Sequence, residues 1–491
     1  MPSPPHAPTS PRRRHTIVLS DVHLSQAHPD DPADPLWMRY RRAEHHPDQD
    51  FASLVDHLLE TRGDDEIEIA WNGDVLDFDA PWVKDGKSSF DEFPLTDEGC
   101  ADHARRIIAD HPIWFRAAAR LLLRGHRLLL LCGNHDIELY WPGVRRAIRE
   151  ELGKLCALES SSPAPLDEAA LEKQVRFRTW FHLSEDGIYL EHGSQYDMFN
   201  GVRHAMLPVT RSRDWIHPQM GKLAFKRTGS RMGYFNPYYE ETFYMGLSGY
   251  LGHFLRFYAG KERHIFRVWF MGALRTAAEI WRHRHDEDWH AEARALCRAE
   301  TGASDEAIDA THALGVPQAE TWMIPILREL WLDRVFFILL TLASVGLAAL
   351  IGGKWAALVA LGGVGVLFLV YEIFMPKPDI RTYDSAPPTV RQIFEIHGVK
   401  AICMGHTHRP FSIWEEGSGG ARFHGNSGSW CPAFLDQDCT KPVLSARPLL
   451  LLTSEGGDLY GGLHWWDGKE LSADAGKCRS HPPTPLTLGQ G

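Results

Sequence analysis

Cysteine is scarce: 8 in 491 residues, scattered, with no Cys-x-x-Cys pair. A disulfide framework is therefore not expected, and a reducing compartment is the simplest reading. A basic excess is also lacking. The chain holds 52 Lys/Arg against 64 Asp/Glu, a net charge of -12, which argues against a general nucleic-acid binder. No apolar run long enough for a signal h-region follows the Pro/Ser-rich residues 1–14, which end in Arg12, Arg13 and Arg14. They read as a disordered lead-in rather than a secretory signal. There is no internal repeat.

What is present is a recurring order of strand, polar turn and helix. Apolar or alternating runs at 17–19, 66–70, 128–131, 175–183, 187–191 and 401–404 read as strands. Helical spacing marks 51–61, 102–124, 143–156 and 388–397. Residues 80–100 read as irregular, and short strands with glycine turns fill 411–467. The pattern predicts an α/β domain built from two stretches, 15–200 and 385–467. Between them lies an insert whose first part, 201–334, is helical, aromatic and basic. The polar, proline-rich residues 472–491 read as a disordered tail.

Five chemical blocks follow one another: Asp21-x-His23, Gly73-Asp74-x-x-Asp77, Gly133-Asn134-His135-Asp136, His192-Gly193 and Gly405-His406-x-His408. Four stand clearly at predicted strand ends, where open α/β sheets bind ligands. Singly each is weak, since a Gly-Asp turn after a strand is usually only a turn. Together they supply carboxylates, imidazoles and one side-chain amide. Such oxygen and nitrogen donors suit Mn²⁺, Fe²⁺ or Zn²⁺ rather than an iron–sulfur or structural zinc site. Asp74 reads as a carboxylate bridging two metals. Strand alternation would turn Asp21 and His23 to one face, and His406 and His408 likewise. Two cations about 3.5–4 Å apart clamp a phosphate and lower the pKa of a water between them. A protonated histidine nearby can donate to the departing oxygen. Asp77 and Asp136 read as outer carboxylates that orient a ligand histidine or stabilise charged His135. Asp77 reads equally well as a helix N-terminal cap.

In this order the five blocks resemble the calcineurin-like metallophosphoesterases, over roughly residues 15–200 and 385–465. The resemblance implies a two-sheet sandwich flanked by helices (α/β/β/α) and a dimetal phosphoester hydrolase. It implies one metal on Asp21, His23, Asp74 and His408, and a second on Asp74, Asn134, His192 and His406. Manganese is the first expectation, iron or zinc the next. It also implies that His135 is the acid beside the leaving group. Within the family, Ser20-Asp21-Val22-His23-Leu24 and Asn426-Ser427-Gly428-Ser429-Trp430 are most similar to the branch that cleaves UDP-2,3-diacylglucosamine in lipid A synthesis. The chain departs from that branch at Ser194, where Asp is usual, at His135, where Arg is frequent, and in its 200–384 insert.

Two apolar runs, 335–351 and 355–371, are joined by Gly352-Gly353-Lys354. Each reaches about 26 Å, the short end of a bilayer crossing. Neither contains a charge, and Glu372 ends the second. Small residues at four-spacing, Ser344/Ala348 and Ala356/Ala360, would let two helices approach closely. The expectation is a membrane hairpin over 335–374. A helical hairpin inside a soluble core, or an apolar dimer contact, are the alternatives. Because the blocks lie on both sides of the hairpin, both its ends belong on one side of the bilayer. Arg328, Arg334, Lys377 and Arg381 flank it while its turn holds only Lys354, which points the catalytic domain to the cytoplasm, on an inner or cytoplasmic membrane. Residues 201–285 hold 14 Lys/Arg against 5 Asp/Glu. They are expected either to lie on anionic lipid headgroups or to cap the active site. The sequence thus predicts a membrane-anchored hydrolase of a phosphodiester or pyrophosphate, carried on a lipid or nucleotide-lipid. The alternatives are a phosphatase or cyclic-nucleotide phosphodiesterase with a soluble substrate, and a non-catalytic membrane scaffold.

Overall fold

A computed structural model describes residues 12–473, apart from 31, 85–86, 90–95, 161–165, 211, 218, 232, 235–250, 253, 257–264, 284–289, 319–322, 376–386, 418–419, 435, 437 and 443–445. Most of the expected lead-in, the tail beyond 473, much of the basic stretch, and the flanking charges Lys377 and Arg381 lie outside the described residues.

The first sheet begins with β1 (Arg14–Leu19) and β2 (Glu66–Asn72), with helix α1 (Asp48–Thr61) between them. A small hairpin of β3 (Trp82–Lys84) and β4 (Lys87–Ser89) follows, within the stretch expected to be irregular. Helices α2 (Asp97–Asp110) and α3 (Pro112–Leu123) lead to β5 (Arg127–Leu131), and α4 (Pro142–Glu159) and α5 (Glu168–Gln174) to β6 (Val175–Arg178). The second sheet opens with β7 (Phe181–Leu183) and β8 (Ile188–Glu191). After the insert, α12 (Pro387–His397) precedes β9 (Ala401–Met404), β10 (Phe411–Gly417) and β11 (Gly420–Asn426). The chain returns to the first sheet with β12 (Arg447–Glu455), β13 (Asp458–Trp466) and β14 (Leu471–Ser472). The sheets run β14-β13-β12-β1-β2-β5-β6 and β10-β11-β9-β8-β7. Pairing is parallel from β1 through β6 and among β8, β9 and β11, so those carboxyl ends line up.

Alternation along these strands builds two cores. Val18, Ala70, Leu129, Leu131, Ile188, Leu190, Ala401 and Cys403 point between the sheets. Their neighbours Leu19, Ile69, Leu128, Leu130, Tyr189 and Ile402 point outward and are covered by other buried side chains, among them Leu54, Phe115 and Phe394 of the helices. A period of two with both faces buried is what two sheets covered by helices require. The chain is thus a mixed α/β protein with two mixed sheets. The seven described cysteines are buried thiols.

Two expectations are corrected. The single helix predicted over 102–124 is two helices, broken at His111, whose φ and ψ are -119° and 50°. Pro112 lacks a backbone N–H and disfavours helical geometry in the residue before it. The strand predicted over 175–183 is also two, in different sheets. The chain turns between them at Thr179, whose N–H donates to Glu300 Oε2 at 2.8 Å.

The insert contributes α6 (Met220–Arg227), α7 (Ile265–His283), α8 (His290–Thr301), α9 (Asp305–Ala313), α10 (Met323–Glu329) and the apolar α11 (Leu332–Phe374). In α11, Gly353 has φ 68° and ψ -164°, so the segment is two helical arms meeting at a break. The arms run back on each other. Phe337 and Phe368 meet with ring centroids 5.0 Å apart, and Tyr371 Oη donates to Asp333 at 2.7 Å. Glu372 accepts from Arg328 and Arg334 at 2.8 and 2.9 Å. The predicted carboxylate at the base is therefore ion-paired. Along the arms the apolar side chains are bare: Leu350 is 86% exposed and Val359 75%. This segment is long and apolar enough to cross a membrane and is not the buried hairpin of a soluble core.

Candidate metal centre

The five blocks sit in loops that leave β1, β2, β5, β8 and β9 at their carboxyl ends. The loops are laced by backbone hydrogen bonds. Asp21 N–H donates to Gly73 O at 3.1 Å, and the Val22 and His23 N–H groups both reach Asp74 O at 2.9 and 3.0 Å. Strand alternation does not aim the paired residues, contrary to expectation, because β1 ends at Leu19 and β9 at Met404. Instead Asp21, His23, Asp74, His406 and His408 all adopt left-handed backbone, with φ of 53°, 55°, 54°, 69° and 59°. They are five of the nine non-glycine residues with positive φ among the described residues. Such conformations cost about 1–3 kcal/mol each and gather where a site over-determines them. Close approach also fixes Gly133, since a Cβ there would lie 2.2 Å from Asp74 Oδ1.

The seven predicted ligands come together in two groups. Asp21, His23 and His408 offer ligand atoms within 4.8 Å of one another, and so do Asp74, His192 and His406. Asp74 joins the halves, because it also forms such a group with His23 and His135. Asn134 Oδ1 lies 3.2 Å from His192 Nε2, which is itself 3.2 Å from Asp74 Oδ2. His408 Nε2 is 3.2 Å from Asp21 Oδ1.

The electrostatics of this pocket draw in positive charge. Burial opposes ionisation of Asp74, yet His192 and His135 hold it well below its ordinary value. Asp21 is likewise lowered, against burial, by His408. Burial pulls His192 down, but Asp74 and Asp21 lift it to about 9. Burial and the neighbouring His135 depress His23 to about 4, which leaves it in the neutral form that ligates a metal. Buried carboxylates facing imidazoles fit a pair of divalent cations well.

Two ligand candidates are held from behind. His192 Nδ1 donates to Asn72 O at 3.0 Å, leaving Nε2 toward Asp74. His406 Nε2 contacts Asp197 Oδ2 at 3.1 Å, so a buried carboxylate backs this ring. Backing of this kind fixes ring orientation and tautomer. Asp197, five residues beyond His192, carried no sequence signal of its own. Asp197→Ala is expected to lower metal affinity by about 10–100-fold, measured by titrating the metal-stripped protein with Mn²⁺.

His135 lies at the edge of the centre, with its ring 4.9 Å from that of His23. Its Nδ1 is 3.1 Å from Asp79 Oδ2 and 3.6 Å from Asp77 Oδ1. Burial disfavours the imidazolium, but Asp74, Asp77 and Asp79 raise it well above its ordinary value. Asp79 was not foreseen. It is fully buried and lies 2.9 and 3.2 Å from the buried ammonium groups of Lys222 and Lys226 on α6, which also approach Glu138. Part of the basic insert therefore caps the centre.

Of the two outer carboxylates, Asp77 stands beside His135, as one of its two readings has it, and only its capping role is corrected, while Asp136 is corrected outright. Asp77 caps no helix; its Oδ1 accepts from the N–H groups of Asp79 and Ala80 at 2.8 and 3.0 Å and so folds the turn that presents Asp79. Asp136 orients neither a ligand histidine nor His135. It accepts from Gly133 N–H at 2.6 Å and Val75 N–H at 2.9 Å, stapling two ligand loops together. Burial and Asp74 push it up to about 7. The Asn426–Trp430 block braces the first loop. Ser427 Oγ meets Ser20 Oγ at 2.7 Å, and Ser429 Oγ donates to Asp21 O at 2.9 Å. The chain matches no protein-family model and no curated protein.

Proposed function

We propose that the chain is a membrane-anchored, dimetal phosphoester hydrolase of the calcineurin-like metallophosphoesterase type. Its substrate is a phosphodiester or pyrophosphate on a lipid or nucleotide-lipid. The observation that carries this reading is the convergence of Asp21, His23, Asp74, Asn134, His192, His406 and His408 from five strand ends, with left-handed backbone at five of the seven. Asp21, His23, Asp74 and His408 would hold one cation, and Asp74, Asn134, His192 and His406 the other. Manganese is the first candidate, iron or zinc the next. When bound, the pair supplies charge to a phosphoryl group and lowers the pKa of an attacking water. His135, held toward its charged form by Asp74, Asp77 and Asp79, donates a proton to the departing oxygen. Lys222 and Lys226 hold Asp79 in place while α6 keeps bulk water from His135.

The lipid part of the proposal rests on how the cap joins the hairpin. Leu223 of α6, Ala277 of α7, Ile326 of α10 and Leu332 at the hairpin base share one apolar core. The cap over the centre and the base of the bare hairpin are thus packed on one core. Membrane lipids are the partner we assign to the hairpin, with the catalytic domain on the cytoplasmic side; no nucleic-acid partner is proposed.

Because Asp333 and Tyr371 touch, a short Gly-Ser turn can replace residues 335–370 without parting the base. That variant is expected to stay in solution after liposome flotation and to keep its rate on bis-p-nitrophenyl phosphate, while the full chain floats. A full chain that stays with the soluble fraction would end the membrane reading and leave the catalytic one intact.

A further inference from the structure

A second histidine cluster lies apart from the dimetal centre and shares no residue with it. His204 follows β8 on the loop that leads to α6, His290 begins α8, and His312 is near the end of α9. Each offers one ring nitrogen within 4.8 Å of the other two. His204 and His312 are stacked with centroids 5.5 Å apart, and His290 lies 5.2 and 5.9 Å from them. His290 Nε2 contacts Asp309 Oδ1 at 3.1 Å, and Arg294 donates to the other Asp309 oxygen at 2.7 Å. We propose that His204, His290 and His312 form a third metal site, which takes one zinc-class divalent cation.

Two consecutive helices and a loop distant from them in sequence converge here with the same residue type, and the most exposed histidine, His290, is steadied by a carboxylate. That is the outer support typical of a ligating histidine. Ligand nitrogens 2.0–2.1 Å from a tetrahedral ion stand about 3.4 Å apart, a separation that falls inside the 4.8 Å span holding these three. The set is wholly nitrogen. It therefore selects Zn²⁺, Co²⁺, Ni²⁺ or Cu²⁺ over Mn²⁺ or Mg²⁺, which prefer oxygen. A solvent molecule completes the fourth position. The ion ties α8 and α9 to the loop running from His192, the same loop that carries Asp197 behind His406.

The inference stands independently of the dimetal centre and is tested where that centre is removed. Untagged full-length Asp74→Ala protein in mild detergent is stripped with chelator, reloaded with Zn²⁺ alone and desalted, and zinc per chain is counted. One zinc is expected, with none retained after reloading with Mn²⁺ alone. Adding His290→Ala and His312→Ala in the same background is expected to remove it. Co²⁺ loading is expected to give the intense visible absorption of a four-coordinate site in Asp74→Ala and to lose it with His290→Ala alone, a half-exposed position that does not threaten folding. No zinc in Asp74→Ala, or the same zinc after both histidine replacements, would overturn the proposal. If the wild type and Asp74→Ala each hold the same single zinc, this site stands and the dimetal reading falls.

Discussion

Asp74→Ala is expected to lose both cations of the centre and about 10³-fold or more of phosphodiester hydrolysis. The size follows from what the cations contribute. Several kcal/mol of transition-state charge stabilisation rest on them, and each 1.36 kcal/mol is tenfold in rate. Asp74 is the residue common to both halves of the centre: its carboxylate faces His192, lies within reach of His23, and accepts the His135 N–H at 2.6 Å. Removing it leaves buried imidazoles with less negative charge to offset two dications. Asp74→Asn separates charge from shape, since the amide oxygen can keep the His135 bond. It is expected to fold normally and still bind metal poorly. Equilibrium dialysis against Mn²⁺, paired with turnover of bis-p-nitrophenyl phosphate, reads both effects. Wild-type turnover by Asp74→Ala would remove Asp74 from the site.

His135→Ala is expected to keep its metals and to lose about 10²–10⁴-fold in rate, the usual span for a general acid. The loss is expected to be smallest with a p-nitrophenolate leaving group, which needs little protonation, and largest with an alkoxide. Asp79→Asn, acting through His135, is expected to show the same leaving-group dependence at about 10–100-fold. That pattern separates positioning from general damage, because a merely loosened fold would slow every substrate alike. Loss of metal from His135→Ala would instead make it a ligand.

The seven ligand candidates were legible because each follows an apolar strand; five stand in blocks marked by glycine, and Asp21 and His23 mark each other at a spacing of two. Asp74 stands behind Glu66–Asn72, and His406 behind Ala401–Met404. How they are aimed was not legible. Alternation suggested extended backbone through His23, whereas the loops use left-handed residues, a choice made by the cross-loop bonds to Gly73 and Asp74. The residues behind the ligands were hidden for a related reason. Asp197 meets His406 across 209 positions, and Lys222 meets Glu138 across 84. No local pattern encodes such contacts, and two lysines in a basic insert read as solvated charge. The break at His111 did have a signal, Pro112, masked by the apolar spacing that continues on both sides of it. The division of 175–183 between two sheets had none, because the Glu300 carboxylate that holds the bend lies 121 residues away.

The hairpin illustrates the opposite case. Two uncharged runs and a double glycine are a purely local pattern, and the structure folds them into two arms meeting at Gly353. What the sequence could not supply was the joint between the hairpin and the α/β domain. The shared core of α6, α7, α10 and Leu332 is long-range and lies within the insert, where few chemical blocks guide the eye.

The central claim is a dimetal centre that hydrolyses a lipid-linked phosphoester. The most direct measurement purifies the wild type and Asp74→Ala in mild detergent, quantifies bound Mn, Fe and Zn, and offers UDP-diacylglucosamine beside a simple diester. The account predicts two more metals per chain in the wild type than in Asp74→Ala, and UMP released only by the wild type. Equal metal content in the two proteins, with no phosphoester cleaved by either, would contradict it.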